Sequence, residues 1–374
     1  MPAQTIYEEL GVTPVINARG HNTVLGGSTP SPKVKEAMER AERYYVDMAQ
    51  LLERAGEMVA GLIGAEAAYV TPGAAAALAL GTAACITGSD MEAISRLPDT
   101  AGMRNKVLLQ AGHHYAYERA TTIVGTKLVE VGDASGTTEA QLDAALGADT
   151  ANVLYPAHLE GKPGTLPLRR VIEIAHRKNV PVLVDAAGQV YPITKMKGFT
   201  PMGADLVCFG AKYLGAPNSS GILCGRKDLV GAAGLQGFIG FETVANRRSF
   251  GRPLKLDRQE IVAVVTAVQE WMAMDHEARL AAQERTLHTI GGRLEGLPGV
   301  TIEYLHRDGA APRLLRVALG RDARRNTDEA IAGLREGSPA IYVGADDGSI
   351  YINPSTIVAG DEEIVAERLR KLLA

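Results

Sequence analysis

The sequence predicts an α/β fold: a large domain with a mostly parallel seven-stranded sheet, followed by a smaller C-terminal α/β domain. Three observations predict it. Short apolar runs alternate with helical segments from Pro32 to Val230, the signature of helical layers on a parallel sheet. After Arg252 the pattern changes to a long helical stretch, a few short strands and a closing helix. At 374 residues, 46% hydrophobic, the chain is long enough for a substantial core plus a second domain. The expected division is 1–30 as an N-terminal segment, 31–254 as the large domain and 255–374 as the linking helix and small domain.

The first helix is announced by Ser31 and Pro32, because a hydroxyl accepts an orphan N–H and proline already holds a helical φ. Met38, Val46, Met48, Leu51, Leu52 and Val59 then recur at helical spacing as far as Leu62. Apolar runs of buried-strand length follow at 67–70, 106–109, 127–131, 153–155, 180–184, 206–209 and 221–224. Segments 74–86, 138–146 and 168–178 suit the crossover helices of right-handed βαβ units. The stretch 256–294 reads as helical around the single Trp271, with strands near 314–317 and 350–352 and a last helix from Asp361 to Leu373. Gly344-Ala-Asp-Asp-Gly348 reads as a hairpin turn, since it lacks the ligand spacing of a cation loop.

Composition narrows the function classes. With 39 basic and 43 acidic residues the net charge is −4, so nothing draws the chain to nucleic acid or to an anionic membrane. A small-molecule substrate is expected. Cys85, Cys208 and Cys224 lack disulfide or zinc-ligand spacing, which argues for a reducing cytoplasm and no metal. The opening MPAQTIYEELG has no basic region followed by an apolar stretch, and no run of about 18 apolar residues occurs, so neither export nor membrane spanning is expected. No G-x-G-x-x-G follows a strand, which argues against a dinucleotide oxidoreductase.

The chemistry concentrates in Pro181-Val-Leu-Val-Asp185-Ala-Ala-Gly188, an apolar strand ending in a carboxylate that is costly to bury unless paired. Twenty-seven residues on, Asp205-Leu-Val-Cys-Phe-Gly-Ala-Lys212 brings a lysine just past the end of another strand. Both ends open on the sheet edge where such folds bind ligands. Pyridoxal 5′-phosphate (PLP) needs an amine to hold its aldehyde and an acidic partner for its pyridine nitrogen. Lys212 and Asp185 supply both. Thr71-Pro72-Gly73-Ala74-Ala75-Ala76 opens a helix whose free N–H groups suit a phosphate. In Gln110-Ala-Gly112-His113-His114-Tyr115, a ring at His114, with His113 next, is expected to stack on the pyridine. Arg19 and Arg252 are candidates for a substrate carboxylate or phosphate.

These residues resemble fold-type I PLP enzymes, and among them the selenocysteine-synthase-like group that includes bacterial seryl-tRNA selenium transferase and D-glucosaminate-6-phosphate ammonia-lyase. The matching segments are Val15-Ile-Asn17-Ala18-Arg19-Gly20, Thr71-Pro-Gly73-Ala-Ala-Ala, Val184-Asp185-Ala-Ala187, Lys212 with Pro217-Asn-Ser-Ser220-Gly221, Gly225-Arg-Lys-Asp-Leu229 and Gly251-Arg252-Pro-Leu-Lys255. The resemblance implies that Lys212 carries the Schiff base, Asp185 pairs with the pyridine nitrogen and Ala187 packs beneath the ring. It also implies that Gly73 to Ala75 bind phosphate, that His158 lies near the cofactor hydroxyl, and that the protein is at least a homodimer. Two departures stand out. Related segments carry a serine shortly before the lysine, whereas Phe209-Gly210-Ala211 precedes Lys212, which passes that role to Ser219, Ser220 or a partner subunit. The chain also reaches the Val15 motif almost at once, without the transferase's extra tRNA-binding domain, and this with the charge balance argues against selenocysteinyl-tRNA synthesis.

The expected function is therefore a lyase on an amino acid or amino-sugar acid. Lys212, displaced by the substrate amine, takes the α-proton; expulsion of a β-hydroxyl and hydrolysis of the enamine give a 2-keto acid and ammonia. The alternatives are an amino-acid racemase or epimerase, which needs an acid such as His114 or Tyr115 on the other face, then an aminotransferase. A non-catalytic binding protein on the same scaffold is opposed by retention of Lys212 and Asp185.

Overall fold

The computed structural model describes residues 5–244, 248–307 and 310–374; the first four residues of the opening segment lie outside these. By contacts the chain divides into two units, one formed by 29–273 and the other by 1–28 with 274–374. This differs from the expected division at both ends.

The larger unit is built on strands β2 (Ala67–Thr71), β3 (Lys106–Gln110), β4 (Lys127–Val131), β5 (Thr150–Pro156), β6 (Val182–Asp185), β7 (Leu206–Gly210) and β8 (Gly221–Gly225). Their order is β2-β8-β7-β6-β5-β3-β4. All run parallel except β8, which is antiparallel to both of its neighbours. Helices cover both faces, so successive strand residues are buried to opposite sides and the apolar runs are nearly continuous. Val153, Tyr155, Val184 and Phe209 join one core with Trp271, while Leu154, Leu183, Leu206 and Cys208 join another with Leu78 and Leu80 of the Gly73–Thr87 helix.

Two expected helices are each divided. The first becomes Pro32–Glu42 and Met48–Ile63, because the Asp47 side chain accepts from the N–H groups of Ala49 and Gln50 and starts a new helix. The stretch around Trp271 becomes Arg258–Ala273 and His276–Gly292 in the same way, with Asp275 accepting from Ala278 N–H. That second break falls at the boundary between the units.

The smaller unit holds a five-stranded sheet of β1 (Val15–Ala18), β9 (Val300–Arg307), β10 (Ala310–Leu319), β11 (Ala340–Asp346) and β12 (Ser349–Ile352), in the order β1-β11-β12-β10-β9. The N-terminal segment is thus not separate: Val15 to Ala18 pair in parallel with Ala340 to Val343, and Ile16 and Ala18 enter this unit's own core. The hairpin read at 344–348 joins β11 to β12, with Asp347 and Gly348 both at positive φ, as the tight primed turn requires. Among the described residues no helix is long and apolar enough to cross a membrane, no cluster of three or more metal-ligating side chains occurs, and all three cysteines are buried and free.

Candidate active site

The parallel strands of the larger unit end on one edge, and the sequence places its reactive groups just beyond those ends. Asp185 is the last residue of β6, pairing in register with Cys208 of β7, and Lys212 follows β7 in the short helical turn Ala211–Leu214. β2 runs in the same sense, so the helix Gly73–Thr87 starts at this edge, next to Gly221 at the head of β8.

The helix start has the features of an anion cradle. Pro72 provides no side-chain cap, so the first-turn N–H groups of Gly73, Ala74 and Ala75 are left without an intrahelical acceptor. Gly73 sits at φ +86°, and a Cβ on Gly221 would lie 2.4 Å from Gly73 C and 2.7 Å from Ala74 N, so only glycine lets β8 approach this turn. Ser220 is buried beside it, but its hydroxyl donates to Pro217 O at 2.7 Å, and Ser219 bonds Glu260. The Ser220 proton is therefore engaged in shaping the loop, which leaves backbone N–H groups to face an anion.

Lys212 is half-buried, its ammonium 5.4 Å from the Tyr213 ring centroid, and burial lowers its pKa, which favours the neutral amine that nucleophilic chemistry needs. Asp185 is only 5% exposed. Its Oδ1 accepts the N–H of Ala187 at 3.0 Å and its Oδ2 accepts the hydroxyl of Tyr115 at 2.6 Å. Ala187 is tied to the lysine strand through Gly210 N–H, which donates to its carbonyl at 2.9 Å. His158, on the turn after β5, lies with its ring edge to Tyr115, centroids 5.3 Å apart; burial lowers its pKa and the Asp185 charge opposes that.

In the loop after β3, His114, the ring expected to stack on the cofactor, is turned instead to two glutamates. Its Nδ1 is 2.9 Å from Glu118 and its Nε2 2.8 Å from Glu130, on the exposed side of the loop. Burial pulls its pKa down, and the bonds to the two glutamates outweigh that and raise it. His113 is fully buried against Tyr155 and Gln110. The cause lies in the backbone: a helical turn at Ala111–His113 ends the strand's alternation, and it is Tyr115 whose side chain reaches Asp185. Arg252 forms a surface ion pair with Glu242 at 2.9 Å, and Arg19 is exposed on the smaller unit, its backbone N–H held by Asn17 Oδ1.

An amine one strand away from a buried carboxylate, with an uncapped helix start on the same edge, is the donor set that PLP requires: aldehyde, pyridine nitrogen and phosphate each find a complementary group. Fold and site together define a PLP-dependent enzyme of fold type I. The chain belongs to the aminotransferase class-V family, whose profile matches residues 23–321. It is 34% identical, over 98% of its own length and 92% of the relative's, to a 5′-C-glycyluridine monooxygenase-decarboxylase from Streptomyces sp.. It is 30% identical to the D-glucosaminate-6-phosphate ammonia lyase of Salmonella typhimurium, over 98% and 97% of the two chains. A solved D-glucosaminate-6-phosphate ammonia-lyase superposes with a TM-score of 0.85 at 29% identity, covering 99% of this chain and 98% of that one.

Proposed function

We propose that the protein is a PLP-dependent lyase that releases ammonia from a β-hydroxylated amino acid or amino-sugar acid, leaving a 2-keto acid. The observation that carries this reading is the full-length similarity, in sequence and in fold, to D-glucosaminate-6-phosphate ammonia-lyases, around an edge that holds Lys212 and Asp185. When bound, PLP supplies an electron-accepting ring next to the carbon that loses its proton. The first-turn N–H groups of Gly73, Ala74 and Ala75 would hold the phosphate dianion. Asp185 would hold the pyridine nitrogen, Ala187 would pack against the ring and His158 would serve its hydroxyl. Lys212 Nζ would hold the cofactor at rest and take the substrate's α-proton, a role suited to an amine whose pKa burial has lowered. Loss of the β-hydroxyl and hydrolysis of the released enamine balance the reaction as 2-keto acid plus ammonia. Arg19 is the candidate for a substrate acidic group, and the working protein is a cytoplasmic homodimer or larger homo-oligomer.

The test is the visible spectrum of the purified, PLP-loaded protein, titrated with D- and L-amino acids and with free and phosphorylated amino-sugar acids, while ammonia is measured. A spectral change confined to β-hydroxylated acids, with ammonia release lost in Lys212→Ala, is the expected result. Wild-type turnover by Lys212→Ala refutes the mechanism.

A second reading is favoured by the higher identity to the Streptomyces monooxygenase-decarboxylase. On that reading the substrate loses its carboxylate with consumption of dioxygen. Oxygen uptake and carbon dioxide release in place of ammonia select it.

A further inference from the structure

We infer that Tyr115 is a positioning residue: its phenol fixes the Asp185 carboxylate in the orientation that the pyridine nitrogen meets. The inference rests on the cofactor reading above.

The geometry of the carboxylate carries it. Asp185 is nearly enclosed, and two donors from different elements hold its two oxygens: the Ala187 N–H at Oδ1, 3.0 Å away, and the Tyr115 hydroxyl at Oδ2, 2.6 Å away. The first comes from the residue but one along the chain and sets only the local turn. The second crosses the sheet edge, since β3 is separated from β6 by β5. A carboxylate oxygen that accepts one hydrogen bond keeps a second lone pair, so neither contact closes Asp185 to a further donor.

Tyr115 is itself held. Its backbone N–H donates to Glu118 Oε2 at 3.0 Å, and the same glutamate grips His114 on the outer side of the loop. The edge contact with His158 fixes the ring. Burial and the neighbouring carboxylate push the phenol pKa up, so the group stays protonated and keeps donating. A freely rotating carboxylate would have to be ordered each time the cofactor binds, and the Tyr115 bond removes that cost in advance.

The test is a double-mutant cycle on the affinity of the purified protein for pyridoxal 5′-phosphate, with Tyr115→Phe and Asp185→Asn singly and together. A hydrogen bond to a charged group predicts roughly a tenfold loss for Tyr115→Phe in the parent and under about twofold in the Asp185→Asn background. The visible band of the bound cofactor should shift in Tyr115→Phe in the direction that Asp185→Asn shifts it, which a purely structural loss would not produce. If Tyr115→Phe binds the cofactor like the parent, or weakens it equally in both backgrounds, the inference is overturned while the cofactor reading stands. If Asp185→Asn itself binds as tightly as the parent, the cofactor reading fails first. Should the Phe variant not fold, Tyr115→Gln and Tyr115→Leu replace it: tighter binding by Gln, which retains an N–H donor, supports the inference, and equal binding overturns it.

Discussion

His113, His114 and Tyr115 are consecutive in the chain, and their surroundings send them to three different ends: a buried core position, a surface pair of glutamates and the Asp185 carboxylate. His113 gives a test at the scale of one residue. Burial first, then the charge of Lys162, lower its pKa from 6.5 to about 4. Protonation therefore favours the unfolded chain. The His113 contribution to stability is intact above the unfolded value and is lost as pH falls from 6.5 through about 4. Denaturant unfolding across that window should show the parent losing about 1–3 kcal/mol more than His113→Gln. Parallel losses in the two proteins would show that His113 does not carry this pH dependence.

At the scale of elements, β8 approaches the start of the Gly73–Thr87 helix so closely that a Cβ on Gly221 would meet its backbone. Gly221→Ala places a methyl group against Gly73 C and Ala74 N, backbone atoms that cannot rotate away. Destabilisation of about 1–3 kcal/mol is expected, with at least about a tenfold loss of cofactor affinity as the helix start is displaced. Gly61 is the control, exposed on the Met48–Ile63 helix with nothing within 4 Å of an added Cβ. Gly61→Ala should be neutral or stabilise by about 0.5–1 kcal/mol, with unchanged affinity. Thermal melts and equilibrium dialysis of both variants check this. Equal behaviour of the two would show that the β8 contact does not shape the cradle.

At the scale of the molecule, the two units have separate hydrophobic cores, and each is stabilised by burial within itself. The homo-oligomer proposed for the working enzyme is tested by sedimentation of the cofactor-loaded protein across a range of concentrations. A dimer or larger species is expected at every concentration that shows turnover. A fully active monomer would overturn the proposal.

The sequence by itself determined the layered α/β architecture, all seven strands of the large sheet and the placement of Asp185 and Lys212 just at the ends of two adjacent strands. These are legible because a strand covered on both faces must be apolar along its whole length, and because a charge just past such a strand stands out against it. The closing helix, Asp361–Leu373, was legible for a similar local reason, its apolar stripe repeating at helical spacing. Only the tertiary structure decided the rest. The pairing of Val15 to Ala18 with Ala340 to Val343 joins opposite ends of the chain, and no local pattern records such a partner. The breaks at Asp47 and Asp275 depend on whether one side chain caps the next turn, a choice that helical periodicity does not reveal. The placing of His114 has a similar origin: a helical turn ends the alternation of β3, Glu118 and Glu130 hold the imidazole on the outer side of the loop, and Tyr115 bonds Asp185.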